Sequence, residues 1–231
     1  MNREQEYLIQ LSAAYLNSDK IRLREDTDIG ALMEEAAKHN LFSVAYCALM
    51  QSENSDEIKV SDISKRYKSL FTDSIYNSNL TMMVYGELKS ALTGAGIRFV
   101  PFKGAVLRET YPVPETRTMG DVDVLIDADR RNDAKTALEK AGFKCVNSNG
   151  PVWDYDKNGI RAEVHTSLVN GKTGNNCAIE YFSGAIDKAH FNGLEGRFED
   201  NYHFEYLIAH LATISSFTER ELEWCSTLRL C

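Results

Sequence analysis

The hydrophobic spacing of this chain changes period near Gly94–Gly96, and that change limits the folds open to it. Before the break, apolar residues recur at helical steps. Tyr7, Leu8, Leu11, Ala14 and Tyr15 predict one amphipathic helix. Asp28 is placed to cap a second, running through Leu32, Met33 and Ala36 towards Asn40, and the apolar stretch LFSVAYCALM follows at once. The polar segment QSENSDE reads as a loop. A long helix is then expected from near Ser61, through Ile63, Tyr67, Leu70, Phe71, Ile75, Leu80, Met83, Leu88 and Leu92, with Gly94 and Gly96 as its stop. After the glycines the period shortens. IRFVPF is β-prone, AVLRETY is a brief helix broken by Pro112 and Pro114, and DVDVLID alternates polar with apolar. ADRRNDAKTALEKAGF is an amphipathic helix ended by Gly142. FKCVN, PVWDYD and IRAEVHTSL read as strands, the last two joined by a turn at Lys157-Asn158-Gly159. Helical spacing returns at Ala178–Lys188 and from Tyr202 to about Ile214. The expected architecture is α+β: a helical N-terminal region over residues 1–94, an α+β core over 95–170, and a C-terminal helical region over 171–231.

Composition narrows the function classes. With 231 residues, 43% hydrophobic and 26% charged, the chain reads as soluble and globular. Its 26 Lys and Arg against 34 Asp and Glu give a formal charge of -8. Long nucleic acid is a poor partner for so acidic a chain, because duplex binding relies on cations that neutralise phosphates. A nucleotide in a local basic pocket is compatible with it. Cys47, Cys145, Cys177, Cys225 and Cys231 form no C-x-x-C pair, and their odd number builds no disulfide framework. They read as reduced thiols. The charged start MNREQEYLIQ has no signal-peptide core, and no apolar run approaches a membrane span. A cytoplasmic protein without membrane attachment is expected.

The chemistry concentrates on DVDVLID. Residues two apart on a strand face the same way, so with Val122, Val124 and Ile126 turned to the core, Asp121 and Asp123 share the other face. Two like charges this close repel, and a divalent cation such as Mg²⁺ relieves the repulsion. The bland alternative is a solvated acidic strand face. In RAEVHTSL, Arg161, Glu163 and His165 alternate with Ala162 and Val164, so a neighbouring strand would bring a third carboxylate, Glu163, to the same place. Such a set can hold metal that activates an attacking oxygen and stabilises leaving pyrophosphate. His165 would orient Glu163 or touch substrate, or else serve structure alone. Lys103-Gly104 stands between a strand and a helix, where a glycine backbone, a helix start and a lysine charge suit phosphate. An ordinary turn would look the same. Arg117 is a candidate phosphate clamp or a surface arginine. Asp154 and Asp156 form a rival pair beside a hairpin turn, read as an outer solvated face. His203 and His210 are seven apart and can share a helix face, but no cysteine stands at zinc-ligand spacing from them.

These residues together resemble the DNA polymerase β-type nucleotidyltransferase superfamily, which has a glycine turn, then Asp-x-Asp, then a third acid on a later strand. The branch known as uncharacterised nucleotidyltransferases is most similar: it carries Lys-Gly, an Arg before Gly-Asp-x-Asp, and Glu-x-His. Here these are Lys103-Gly104, Arg117, Gly120-Asp121-Val122-Asp123 and Glu163-Val164-His165. The resemblance covers residues 95–170 and implies a small mixed β-sheet nucleotidyltransferase core. It implies Asp121, Asp123 and Glu163 as catalytic, metal-holding residues, and Lys103, Gly104, Arg117 and Gly120 as nucleotide-binding ones. It further implies Mg²⁺ or Mn²⁺ as cofactor and a nucleoside triphosphate as substrate. The reaction would move a nucleoside monophosphate to a hydroxyl on a small molecule or protein, releasing pyrophosphate. Two features depart from the pattern. Ala105 stands where Ser or Gly is usual, and the chain stops soon after a helix, with ERELEWCSTLRLC, as a shortened member would. They point to an alternative: a catalytically degenerate nucleotide-binding or regulatory module of the same fold. A third reading is a helical interaction protein whose acidic strand is incidental.

Overall fold

The computed structural model describes residues 2–59, 62–169 and 176–215. They form two compact units. The first comprises the described residues of Met1–Met83 and Gly104–Gly120, the second those of Val84–Lys103 and Asp121–Cys231.

The first unit is helical, as the 3.6-residue spacing predicts. Helix α1 (Arg3–Leu16) starts in a capping box. The Gln5 N–H donates to the Asn2 side chain at 2.8 Å, and the Asn2 N–H donates to the Gln5 side chain at 3.1 Å. Asp28 caps α2 (Ile29–Lys38) by accepting the Ala31 N–H at 3.0 Å. Asn40, in the left-handed region at φ 56°, then turns the chain into α3 (Phe42–Gln51). A short α4 (Ser55–Lys59) precedes α5 (Asp62–Gly94), which runs through both units. The expected start of α5 at Ser61 lies outside the described residues. Leu8, Leu11, Tyr15, Leu32, Met33, Ala36, Val44 and Leu49 make the core of this unit. Gly104–Gly120 belongs with it and holds α6 (Gly104–Leu107) and two single 3-10 turns. Tyr111 packs on the core, and the buried Tyr15 hydroxyl shares a 3.0 Å hydrogen bond with the Thr116 hydroxyl.

The second unit begins where α5 ends. Gly96 adopts φ 64°. The Ile97 N–H donates to Leu92 O and the Gly96 N–H to Thr93 O, both at 3.0 Å, which satisfies carbonyls the helix would leave open. The strands are β1 (Phe99–Phe102), β2 (Asp121–Ile126), β3 (Lys144–Asn147), β4 (Val152–Lys157), β5 (Ile160–His165), β6 (His190–Asn192) and β7 (Glu195–Arg197). They form one mixed sheet in the order β3-β4-β5-β2-β1-β7-β6. The pairs β2–β5 and β1–β7 are parallel and the others antiparallel. The expected turn between β4 and β5 is there, with Asn158 at φ 56° and Gly159 at φ 78°. Helix α7 (Arg131–Lys140) follows β2, and α8 (Asn176–Tyr181) and α9 (Asp200–Ser215) come later.

Both faces of β2 are covered. Val122, Val124 and Ile126 pack with Val84, Leu88 and Leu92 of α5 and with Ala134 and Leu138 of α7. Leu125, on the opposite face, packs with Phe102, Phe182, Ile186, Phe198 and Tyr206. The α+β class and mixed sheet expected from the sequence are therefore observed. The C-terminal region departs from its purely helical expectation, because β6 and β7 add a hairpin to the edge of β1. The hairpin is short and half polar, so it carries little alternation to read. Glu195 anchors it, accepting from the Tyr85 hydroxyl at 2.7 Å and pairing with Lys89.

A Cβ on Gly196 would lie 2.8 Å from the Phe191 ring and 2.9 Å from Val100 Cγ2, so Gly196→Ala should lower unfolding free energy by about 1–3 kcal/mol in urea titration. In the helical unit, the Glu35 carboxylate accepts from Gln5 at 2.7 Å and from Lys38 and His39 at 3.1 and 3.2 Å. These contacts hold its pKa down at about 2, against an ordinary 4.5. A depressed carboxylate stabilises the fold above its unfolded value and loses that contribution as pH falls through the folded one. Glu35→Gln should therefore flatten the acid limb of stability between pH 4.5 and about 2.

Candidate active site

The alternation of DVDVLID sets the register from which this site is built. With its valines committed to the α5 side of the sheet, Asp121 and Asp123 emerge on the α9 side. The β2–β5 ladder places Asp123 opposite Glu163, and Asp121 opposite Arg161. Antiparallel β1 puts Phe102 opposite Asp123, and the next residue is Lys103. Lys103, Asp121, Asp123, Glu163 and His165 thus converge within the second unit.

Asp123 is the centre of this group. Its side chain is only 1% exposed. Oδ1 accepts from the Lys103 ammonium at 2.7 Å and from His165 Nε2 at 3.0 Å. His165 Nε2 also lies 3.2 Å from Glu163 Oε2. Ionised carboxylates only accept, so the imidazole carries its hydrogen on Nε2 and shares it between the two acids. Burial by itself would push Asp123 up, but His165 and Lys103 outweigh it and hold the carboxyl below its ordinary pKa. Burial likewise disfavours the charged imidazole, and the hydrogen bonds to Asp123 and Glu163 reverse this and raise His165. For Asp121 the opposing charges of Lys103 and Arg161 are outweighed. Burial raises its pKa, and the charges of Asp123 and Glu163 raise it further.

The residue set suits a divalent cation. One ligand atom each from Asp123, Glu163 and His165 lie within 4.8 Å of one another. Asp121 is not in that cluster of atoms; burial is the main cause of its raised pKa, and the charges of Asp123 and Glu163, which a cation would offset, add to it.

Several residues around this group escape a reading of the sequence. Asp154, expected on an outer solvated face, stands opposite Glu163 in the β4–β5 ladder, and its side chain is 15% exposed. Arg161 joins the two acids, at 2.9 Å from Asp154 and 3.1 Å from Glu163. The two-residue period of PVWDYD allows Asp154 on one face or the other; only the β4–β5 register decides which. Helix α9 supplies the rest. Tyr206 sets its ring edge to Phe102 at 5.4 Å and stacks on His210 at 5.7 Å, while Phe102 meets the His165 ring at 4.9 Å. Burial, with the charges of Asp123 and Glu163 behind it, pushes the Tyr206 hydroxyl far up. Burial and the Lys103 charge lower His210. His203 accepts the backbone N–H of Lys103 on Nε2 at 3.0 Å. The two histidines do share a helix face, as their spacing allows, and this face carries Tyr206 between them.

Gly104, Arg117 and Gly120 belong to the first unit. Gly104 opens α6 and is buried. A Cβ there would lie 3.1 Å from both Arg117 Nη1 and Met119 Sδ, so the glycine admits those side chains. Arg117 Nη1 donates to Thr118 O at 3.3 Å, and Gly120 is exposed. Ala105 is also buried, on α6.

The Lys103–Asp123 pair makes a test of this electrostatic picture. Removing one partner of a buried pair strands the other charge. In metal-free buffer at neutral pH, Lys103→Met should cost about 1–3 kcal/mol of stability. Adding Asp123→Asn should recover part of it, read as a coupling energy in a double-mutant cycle.

Comparison with known proteins adds three findings. A family profile described as uncharacterised nucleotidyltransferase matches residues 25–229. A search of curated proteins returned no match. Among solved structures, the chain is similar to one titled "Solution Structure of Antibiotic-Resistance Factor ANT(2'')-Ia Reveals Substrate-Regulated Conformation Dynamics". Identity there is 10% and the TM-score 0.37, with 63% of this chain and 89% of that chain covered.

Proposed function

The chain belongs to the uncharacterised nucleotidyltransferase family, and from that premise we propose that it moves a nucleoside monophosphate from a nucleoside triphosphate to a hydroxyl on a small molecule or protein, releasing pyrophosphate. The observation that carries this reading is the in-register parallel pairing of β2 and β5, with Asp123 opposite Glu163 and the Lys103 ammonium 2.7 Å from Asp123.

In this reading Asp121, Asp123 and Glu163 would hold Mg²⁺ or Mn²⁺. When bound, such an ion neutralises triphosphate charge and favours ionisation of the attacking hydroxyl. The protein's own groups do the rest. Lys103 offers a point charge to the triphosphate. The family resemblance assigns Gly104, Gly120 and Arg117 to phosphate binding as well, with the Arg117 guanidinium suited to clamp phosphate oxygens. His165 holds Asp123 and Glu163 in one orientation through a shared hydrogen. Glu163 either completes the metal site or accepts the proton of the acceptor hydroxyl as that hydroxyl attacks the α-phosphate and pyrophosphate leaves. Most of the rate gain would come from positioning and charge neutralisation.

A second reading rests on one observation. Asp123 Oδ1 already accepts from both Lys103 and His165, which leaves it less free to bind a cation. A nucleotide-binding module without transfer chemistry would look like this, and Ala105 fits it too.

Pyrophosphate release separates the two. The protein is incubated with each nucleoside triphosphate in Mg²⁺ or Mn²⁺, and label transferred from the α-phosphate is followed into protein and small molecules. Release should fall by about 10²-fold or more in Asp121→Ala, Asp123→Ala and Glu163→Gln. Triphosphate that raises the thermal midpoint without any turnover supports the binding module. No shift with any triphosphate sinks both.

A further inference from the structure

Lys103 stands in a backbone conformation that its residue type disfavours. Its φ is 50°, in the left-handed region where a Cβ crowds the following carbonyl. The neighbouring Gly104 could adopt that geometry freely, yet the strained position carries the side chain that reaches Asp123. Something must therefore hold Lys103 there. The contact comes from one hundred residues away. The Lys103 N–H, past the end of β1, donates to His203 Nε2 at 3.0 Å.

His203 is built for this task. It is 5% exposed and lies on the inward face of α9 with Tyr206. Its ring sits 6.4 Å from that of Phe198. Accepting on Nε2 requires a neutral imidazole with its hydrogen on Nδ1. Burial, aided by Arg197, keeps the ring neutral against the opposing pull of Asp200. Tyr206, three residues on, meets Phe102. Helix α9 thus grips the end of β1 at two consecutive residues, by ring contact at Phe102 and by hydrogen bond at Lys103.

We propose that His203 is a positioning residue that fixes the left-handed backbone of Lys103 and so sets where the Lys103 ammonium meets a triphosphate. The assignment deepens the nucleotidyltransferase reading and rests on it. It makes α9, far from the acidic strands in sequence, part of the nucleotide-binding apparatus.

The test compares three variants of the full chain. Gln at 203 can place its amide oxygen near the position of Nε2. Asn is one bond shorter, and Leu keeps only the packing. Two measurements are made. One is hydrogen exchange at the Lys103 amide by ¹⁵N–¹H NMR. The other is calorimetric affinity for the α,β-methylene analogues of ATP, GTP, CTP and UTP with Mg²⁺. His203→Asn and His203→Leu should speed exchange at the Lys103 amide by about tenfold or more and weaken the analogue by a similar factor. His203→Gln should stay within about threefold of wild type in both. A packing role alone predicts that Leu does as well as Gln, and that result overturns the proposal. So does an unchanged Lys103 amide in the Asn and Leu variants. Wild-type protein that binds none of the four analogues instead overturns the nucleotidyltransferase reading, while the amide measurement still judges His203.

Discussion

A single buried carboxylate organises the second unit. Asp123 lies in the middle of a strand with the sheet on both sides of it, and its side chain is all but closed to solvent. An isolated charge in such a place would be driven to protonate. It stays ionised because Lys103 comes from the end of β1 and His165 from the end of β5, and both contacts depend on strand register. A one-residue slip of β5 would turn Ala162 or Val164 towards Asp123 and carry Glu163 to the α5 side of the core. The hydrophobic pattern and the ion cluster therefore enforce each other: the valines fix the face, and the face fixes which charges meet.

That mutual enforcement explains what can be read from residues alone. DVDVLID and IRAEVH carry a two-residue period strong enough to orient both strands, so Asp121, Asp123, Glu163 and His165 can be placed on polar faces before any pairing is known. The stop of α5 at Gly94–Gly96, the Asp28 cap and the Asn158-Gly159 turn are local chemistry, and local chemistry is legible. The parallel neighbourhood of β2 and β5 needs a conditional step, since nothing within either strand names its partner. The β6–β7 hairpin is hidden for the opposite reason. Each strand has three residues, and its placement rests on Val100 and Phe191 leaving no room for a side chain at position 196 and on Glu195 reaching α5, features set only across the fold.

The same limit hides the ring of residues around the acids. Arg161 shares the face of Glu163 by simple alternation, but Asp154 sits in a segment whose inward face depends on the β4–β5 register, and so does the meeting of the two. Helix α9 has a clear 3.6-residue period, and the spacing of His203 and His210 even puts them on one face. What they face cannot be derived, because the partner of His203 is a backbone amide past the end of β1 rather than a side chain with a recognisable motif. The left-handed φ of Lys103 has no sequence signature either, since the residue type argues against it.

The arrangement also bears on why the lysine precedes the glycine rather than following it. With the two residue types exchanged, a glycine would take the left-handed position and relax the turn, but the charged side chain would then start one residue further from the Phe102 that faces Asp123. Placing the lysine on the strained residue keeps its charge one position past the Phe102 that faces Asp123. The buried glycine that follows leaves room for close approach by Arg117 and Met119. A division of labour follows from adjacent positions. One residue carries the charge and needs a partner to hold its backbone, and the next carries no side chain so that others can come near. Strain at Lys103 is thus the consequence of keeping a cation next to an acid that the sheet has already buried.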